Sequence, residues 1–323
     1  MKFRSIAILL VCLSLLAGAA AAAVEVETVT VSTVESANNP PVAENLDVRT
    51  YRETSVSGSF QALDPEGDLL SFRITASPVK GSVKVKGSGF VYTPSEGKRG
   101  KDSFRYQAVD SEGNASADAT VNIRIEKQSG PVFYPELNGS GLQYAAVRLA
   151  EKGVFTGEKV SACWCFSADT PLKRGDFLTM CAALTGMEPL EDVTRTGFFD
   201  DESISAWQKP YVSAALLYGV VQGSTGDGGK AVFRGDQPIT RAEAAVMLSS
   251  FLEISDAAGI FYSEDVPGWA AQAVANLRAC DICSGDEFHP SRTLTRGDAA
   301  EMLSAALDVL EARGKDRKFS WSK

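Results

Sequence analysis

Three arginines, Arg174, Arg241 and Arg296, occupy the same place in three related stretches, "TPLKRGDFLTMC", "QPITRAEAAVML" and "RTLTRGDAAEML". Each stretch reads as the start of a helix, where the positive end of the dipole disfavours a cation by a few tenths of a kcal/mol, about 0.3 or more. Thr240 with Glu243, and Thr295 with Asp298, have the spacing of a capping box. In that motif the threonine oxygen accepts a helix N–H and the acid reaches back to the threonine backbone. Capping accounts for the threonines and acids and leaves the arginines over. A guanidinium beside unpaired helix N–H groups offers a carboxylate a bidentate partner and a favourable dipole together. The competing arrangement is an ion pair from each arginine to an acid on a neighbouring stretch.

Other residue types raise further chemistry. "DPEGD" gathers Asp64, Glu66 and Asp68, and Asp110 supplies a further oxygen; calcium takes such hard ligands, whereas the alternative is a β-turn with solvated acids. Cys163 and Cys165 form C-x-C, and Cys280 and Cys283 form C-x-x-C. Together they would make a four-thiolate zinc site only if their loops met, and one or two disulfides are the preferred expectation in an exported chain. Cys12 falls in the leader at residues 1–23, and with Cys181 the other five of the six cysteines are an odd number, so one thiol stays unpaired or pairs between chains. The single histidine, His289, has no nucleophile motif around it, and the expectation is a protein that is not an enzyme and needs no cofactor.

The elements that position these residues follow from periodicity. Residues 1–23 have a basic start, an apolar run and an alanine-rich end, as a secretory signal peptide does. Its removal takes Lys2 and Arg4 from a formal net charge of -9, leaving an acidic exported protein unsuited to nucleic acid; no later segment suits a membrane span. Residues 24–40 read as a linker ending in "NNPP". Residues 41–128 alternate with period two in short runs such as "DSFRYQAVD" and "TVNIRIEK", separated by Gly, Pro and Asp turns. That pattern predicts an all-β Ig-like sandwich. Residues 129–140 read as a second linker.

From Gly141 the period becomes helical, and the three stretches fall into one register. Phe166, Phe233 and Phe288 lie eight residues before the arginines; Leu172, Ile239 and Leu294 lie two before; Met180, Met247 and Met302 lie six after. These positions are the predicted core of three helix-loop-helix repeats at 141–190, 197–254 and 260–313, each of about 55 residues and too small to fold well alone. Cys181 aligns with Leu248 and Leu303, as a buried small hydrophobe. Gly157, Gly223 and Gly285 read as the residues that close each first helix. Residues 314–323 form a basic tail.

Two resemblances rest on these motifs. Residues 41–128, through "GSFQALDPEGDLLSFRIT", "GFVYTP" and "GKDSFRYQAVD", resemble bacterial Ig-like or cadherin-like modules, which implies spacing or adhesion with a protein or glycan partner. "FRGDQPITRAEAAVML" and "FHPSRTLTRGDAAEML" resemble S-layer homology (SLH) repeats, with "FSADTPLKRGDFLTMC" a diverged third member. The resemblance implies an all-α pseudo-threefold unit that holds an exported protein non-covalently to anionic, often pyruvylated, cell-wall polysaccharide at a bacterial cell surface.

It further implies that Arg174, Arg241 and Arg296 meet the ligand together with Trp207, Trp269, Gly223 and Gly285. With that resemblance the ligand-binding arrangement of the arginines is preferred. Repeat 1 departs from the pattern, with Gly141 or Leu142 at the tryptophan position and no "F-x-D" opening. The alternative role is a self-associating or calcium-dependent adhesive surface protein whose repeats no longer bind the wall.

Overall fold

Alternating β-branched and aromatic residues build the N-terminal half of the computed structural model, which describes residues 38–254, 266–283 and 288–314. The expected signal peptide 1–23, nearly all of the 24–40 linker, the opening of repeat 3, Gly285 and all but one residue of the basic tail lie outside the described residues. Strands β2 (Leu46–Tyr51), β9 (Ala119–Glu126), β8 (Gly100–Val109) and β5 (Ser71–Ala76) form one sheet in that order. A second sheet has the order β3 (Val56–Ser59), β7 (Gly89–Pro94), β6 (Gly81–Lys86), and a short pair joins β1 (Val42–Ala43) to β4 (Ala62–Leu63). Phe104, Tyr106 and Ala108 on β8, and Val121, Ile123 and Ile125 on β9, all point inward, as period two requires. Phe60 centres this core, its ring 4.8 Å from Phe72, 5.0 Å from Phe90 and 4.4 Å from Tyr106. The expected β-sandwich is present.

Among the described residues six α-helices follow, two to each repeat: α1 (Leu142–Glu151) and α2 (Arg174–Thr185), α3 (Lys209–Leu217) and α4 (Arg241–Phe251), α5 (Gly268–Ala279) and α6 (Arg296–Ala312). The first helix of each repeat packs on the second helix of the repeat before it in the ring: α1 on α6, α3 on α2 and α5 on α4. The nine registered Phe, Leu/Ile and Met positions are all buried in one shared core, and Cys181, Leu248 and Leu303 are fully covered beside them. Two hairpins interrupt the first two repeats, β10 (Glu158–Val160) with β11 (Cys163–Cys165), and β12 (Ser224–Thr225) with β13 (Ala231–Val232). They lie between Gly157 and Phe166 and between Gly223 and Phe233. Among the described residues, no helix is long and apolar enough to cross a membrane.

The segment 129–140 is not a linker. Val132, Tyr134 and Leu137 are buried in the helical core, and the Tyr134 ring lies 5.3 Å from Phe166. Glu136 accepts the Phe166 N–H, just as Asp200 accepts the Phe233 N–H at 2.8 Å beside the Phe198–Phe233 ring pair. Tyr134-x-Glu136 is therefore repeat 1's version of Phe198-x-Asp200. Repeat 1 thus has an opening motif after all, in aromatic and acidic substitutes, and the repeat begins near residue 134.

The sandwich also meets the helices directly. The Ser55 N–H donates to Gln143 Oε1 at 2.9 Å, and the Tyr144 N–H donates to the Ser55 carbonyl at 3.0 Å. The Tyr51 and Tyr144 rings lie 5.5 Å apart, and buried Arg148 pairs with Asp308 at 2.8 Å and Glu311 at 3.1 Å.

Candidate functional site

The three arginine-bearing helices begin around a closed ring of backbone hydrogen bonds. Leu172 N–H donates to the Leu294 carbonyl, Leu294 N–H to Ile239, and Ile239 N–H to Leu172, each at 2.9 Å. One residue pair further on, Arg174 N–H donates to Gln237, Arg241 N–H to Arg292 and Arg296 N–H to Thr170, again each at 2.9 Å. Gly175, Ala242 and Gly297 donate likewise to Gly235, Pro290 and Ala168. Both predicted capping boxes are complete, with Thr240 accepting from Glu243 N–H and Thr295 from Asp298 N–H. The first two N–H groups of each of these helices are thus consumed by the next repeat, and in α4 and α6 the third is taken by the cap. The expectation that they stand open to a ligand carboxylate is corrected, because the backbone of a neighbouring repeat satisfies them; the guanidinium groups remain.

Each guanidinium crosses to the following repeat. Arg174 lies 3.6 Å from Glu243, Arg241 lies 3.3 Å from Asp298, and Arg296 lies 2.9 Å from Glu158 on hairpin strand β10. Each also sits over an aromatic ring of that repeat: Phe233 at 5.5 Å, Phe288 at 5.4 Å and Phe155 at 5.4 Å. A cation over a ring face, paired with an acid, gains from both contacts. The inter-repeat ion pair weighed from the sequence is therefore present at all three positions. In repeat 1 the acid of the cap position, Asp176, is held at 2.8 Å by Gln208 Nε2, and burial raises its pKa despite nearby Lys173 and Arg296. Burial lowers the Arg174 pKa, with Arg234 adding to the effect and Glu243 opposing it.

The packing gives three equivalent junctions between repeats, with a groove present at the first. The Arg241–Asp298 pair lies where α1 meets α6, with Gly141 at the tryptophan position. Asp176, with Arg296 close by, lies where α3 meets α2, held by Gln208, the residue that follows Trp207. The Arg174–Glu243 pair belongs by the same relation with Trp269, where α5 meets α4. Trp207 is 58% and Trp269 63% exposed, so neither is a core residue.

Gly157 and Gly223 do not close the first helices. That role falls to Gly153 and Gly219, both left-handed, just past α1 and α3. At Gly157 a Cβ would lie 2.4 Å from the Cys165 carbonyl oxygen, and at Gly223 one would lie 2.5 Å from the Phe198 ring. These glycines let the chain pass against a hairpin and an aromatic.

The remaining candidates separate. Asp64 Oδ1 accepts the Glu66 and Asp68 N–H groups at 3.0 Å, and Asp110 Oδ1 accepts those of Glu112 and Asn114. Glu66 is taken by Asn39, and Asp68 by Ser111. The acids thus stabilise two turns of the same kind, and the calcium grouping is corrected: among the described residues no set of three or more such side chains is placed to hold a metal. Among the described residues all five cysteines are free thiols, so the expected disulfides and the four-thiolate arrangement are absent from the described structure. Burial raises the Cys181 thiol pKa well above its usual range and pushes that of Cys283 up to about 11.

Comparison with known proteins adds to this geometry. Residues 38–124 match the bacterial Ig domain family, and residues 198–245 match the S-layer homology domain family. A surface-layer 125 kDa protein of Lysinibacillus sphaericus is 26% identical over 148 residues, covering 46% of this chain and 12% of that protein. An amylopullulanase of Thermoanaerobacterium thermosulfurigenes is 27% identical over 154 residues, covering 44% of this chain and 8% of that protein. The matches thus span only about a tenth of either relative. Among solved structures, the titin M3 domain aligns with a TM-score of 0.19 and 12% identity, over 27% of this chain and 97% of its own.

Proposed function

We propose that this chain, which carries a bacterial Ig domain followed by an S-layer homology domain, is an exported bacterial cell-surface protein held non-covalently to anionic wall polysaccharide by the grooves between its helical repeats. The observation that carries the reading is an exposed tryptophan, Trp207 or Trp269, where the first helix begins at two of the three junctions, the place at which the threefold relation sets an inter-repeat arginine. An indole face stacks on a sugar ring, and a guanidinium pairs with a sugar carboxylate, a pyruvate ketal among them. The acids now facing the arginines are exchangeable partners for such a carboxylate.

The Arg174 groove fits best. Among the described residues the Arg174 guanidinium makes no hydrogen bond, its Glu243 contact is long at 3.6 Å, and Arg234 adds positive charge nearby. Repeat 1, diverged in sequence, thereby supplies the most available guanidinium. The sandwich acts as a spacer or adhesive module, and no covalent step belongs to this role.

The test is binding of the full chain to purified wall sacculi with Arg174→Ala and Trp269→Ala, alone and together. The reading expects the double variant to lose at least about tenfold in affinity, about 1.4 kcal/mol, with helical content kept. Unchanged affinity in the double variant overturns it.

A further inference from the structure

We propose that the β-sandwich is the chain's own occupant of one of its three grooves, so that no more than two remain open to wall polymer. The inference rests on the groove reading above and goes beyond it in number and regulation. Where repeats 2 and 3 present exposed Trp207 and Trp269, repeat 1 has Gly141 at the start of α1. Gly141 is not merely a lost ring. A Cβ built on it would lie 2.6 Å from Ser57 Cβ on β3 of the sandwich, closer than two carbons pack, and Ser57 Oγ reaches the Gly141 carbonyl at 3.5 Å. The sandwich stands where the third indole would stand.

The contact is built rather than grazing. Ser55 uses both its backbone groups on α1, donating to Gln143 Oε1 and accepting from the Tyr144 N–H. Gln143 is fully buried in the docked arrangement, and its side-chain carbonyl is satisfied there by the Ser55 N–H. Tyr51 on β2 packs against Tyr144, and Arg49 reaches Glu311 of α6 at 4.0 Å. Beneath this roof a cavity of about 1140 Å³ retains Arg241, Asp298 and Glu301 as its helical wall, with Ser57 and Gly58 opposite. The groove keeps its ion pair but has exchanged its stacking ring for a protein wall. A polymer lying along the other two grooves is met by an open indole; here it meets β3.

Two variants of the full chain test this. Gly141→Trp restores the ring and collides with Ser57; Ser57→Arg adds bulk from the sandwich side on an exposed strand position. Amide exchange at Ser55 and Tyr144 reports docking without any ligand, and equilibrium dialysis of polysaccharide fragments released from sacculi reports the number of sites. The native chain is expected to protect both amides and to bind at most two fragments. Both variants are expected to speed exchange at those amides at least tenfold, and Gly141→Trp to gain a further site. Three sites in the native chain, or protection unchanged in both variants, overturns the proposal. If Gly141→Trp loses helical circular dichroism, Ser57→Arg decides. If no form binds fragments, the wall-binding reading fails, while amide exchange still decides whether the sandwich is docked.

Discussion

The Arg241 guanidinium, in the first turn of α4, lies 3.3 Å from Asp298 in the first turn of α6. One carboxylate serves two helices: Asp298 Oδ2 accepts from Thr295 N–H and hydroxyl, and Oδ1 faces Arg241 and Arg292. The cation that would be unfavourable at its own helix start is answered by an acid from the next repeat. The capping residue and the inter-repeat ion pair are one device, and its removal should loosen both.

A double-mutant cycle measures that device. Arg241→Ala is expected to cost about 1–2 kcal/mol, and Asp298→Ala, which also loses the cap, about 2–3 kcal/mol. The coupling between them should be about 1 kcal/mol. Denaturant unfolding of the full chain checks this, and a coupling near zero would show that the two side chains act separately.

Glu158 is the acid that deviates from the threefold pattern. It comes from a hairpin insertion, is 67% exposed and holds Arg296 at 2.9 Å, the place a ligand carboxylate would take. An exposed pair contributes little to stability, so Glu158→Gln should change unfolding by less than about 0.5 kcal/mol. On the proposed function it should raise affinity for the anionic polymer about threefold at low salt, with the gap closing at high salt. Lowered affinity would mean that Glu158 contacts the ligand or orders the groove.

Asp201 gives a pH dependence with a defined sign. Lys209 Nζ at 2.8 Å first, then the Thr196 N–H at 2.6 Å, hold its carboxyl at about 2, below the ordinary aspartate value near about 3.9. A depressed folded pKa means that its contribution is complete above about pH 4 and is lost as the pH falls toward about 2. Asp201→Asn should therefore be less stable than the native chain at pH 7, with about half of that difference left at about pH 3 and little of it at about pH 2. A stability difference that stays constant with pH would place its cause elsewhere.

Local patterns were legible in the residues, and contacts between repeats were not. The Phe, Leu/Ile and Met register marked the helical core, period two marked the sandwich, and both Thr-based caps were written in their spacing. Tyr134 and Glu136 escaped notice because they replace Phe and Asp by larger relatives, although they sit ahead of Phe166 much as Phe198 and Asp200 sit ahead of Phe233. The carbonyls of Gln237, Arg292 and Thr170, which take the arginine N–H groups, belong to other repeats, and no local rule names them. Gly157 and Gly223 looked like helix stops because they follow helices closely. Their requirement is close approach to Cys165 and Phe198, a tertiary fact.

The central claim is that the helical repeats hold this chain to an acidic wall polymer. Its most direct test is co-sedimentation of the full chain with purified sacculi, before and after chemical removal of the attached polysaccharide. The account predicts that the protein pellets with intact sacculi and stays in solution once the polymer is stripped. Equal pelleting with stripped sacculi would contradict it.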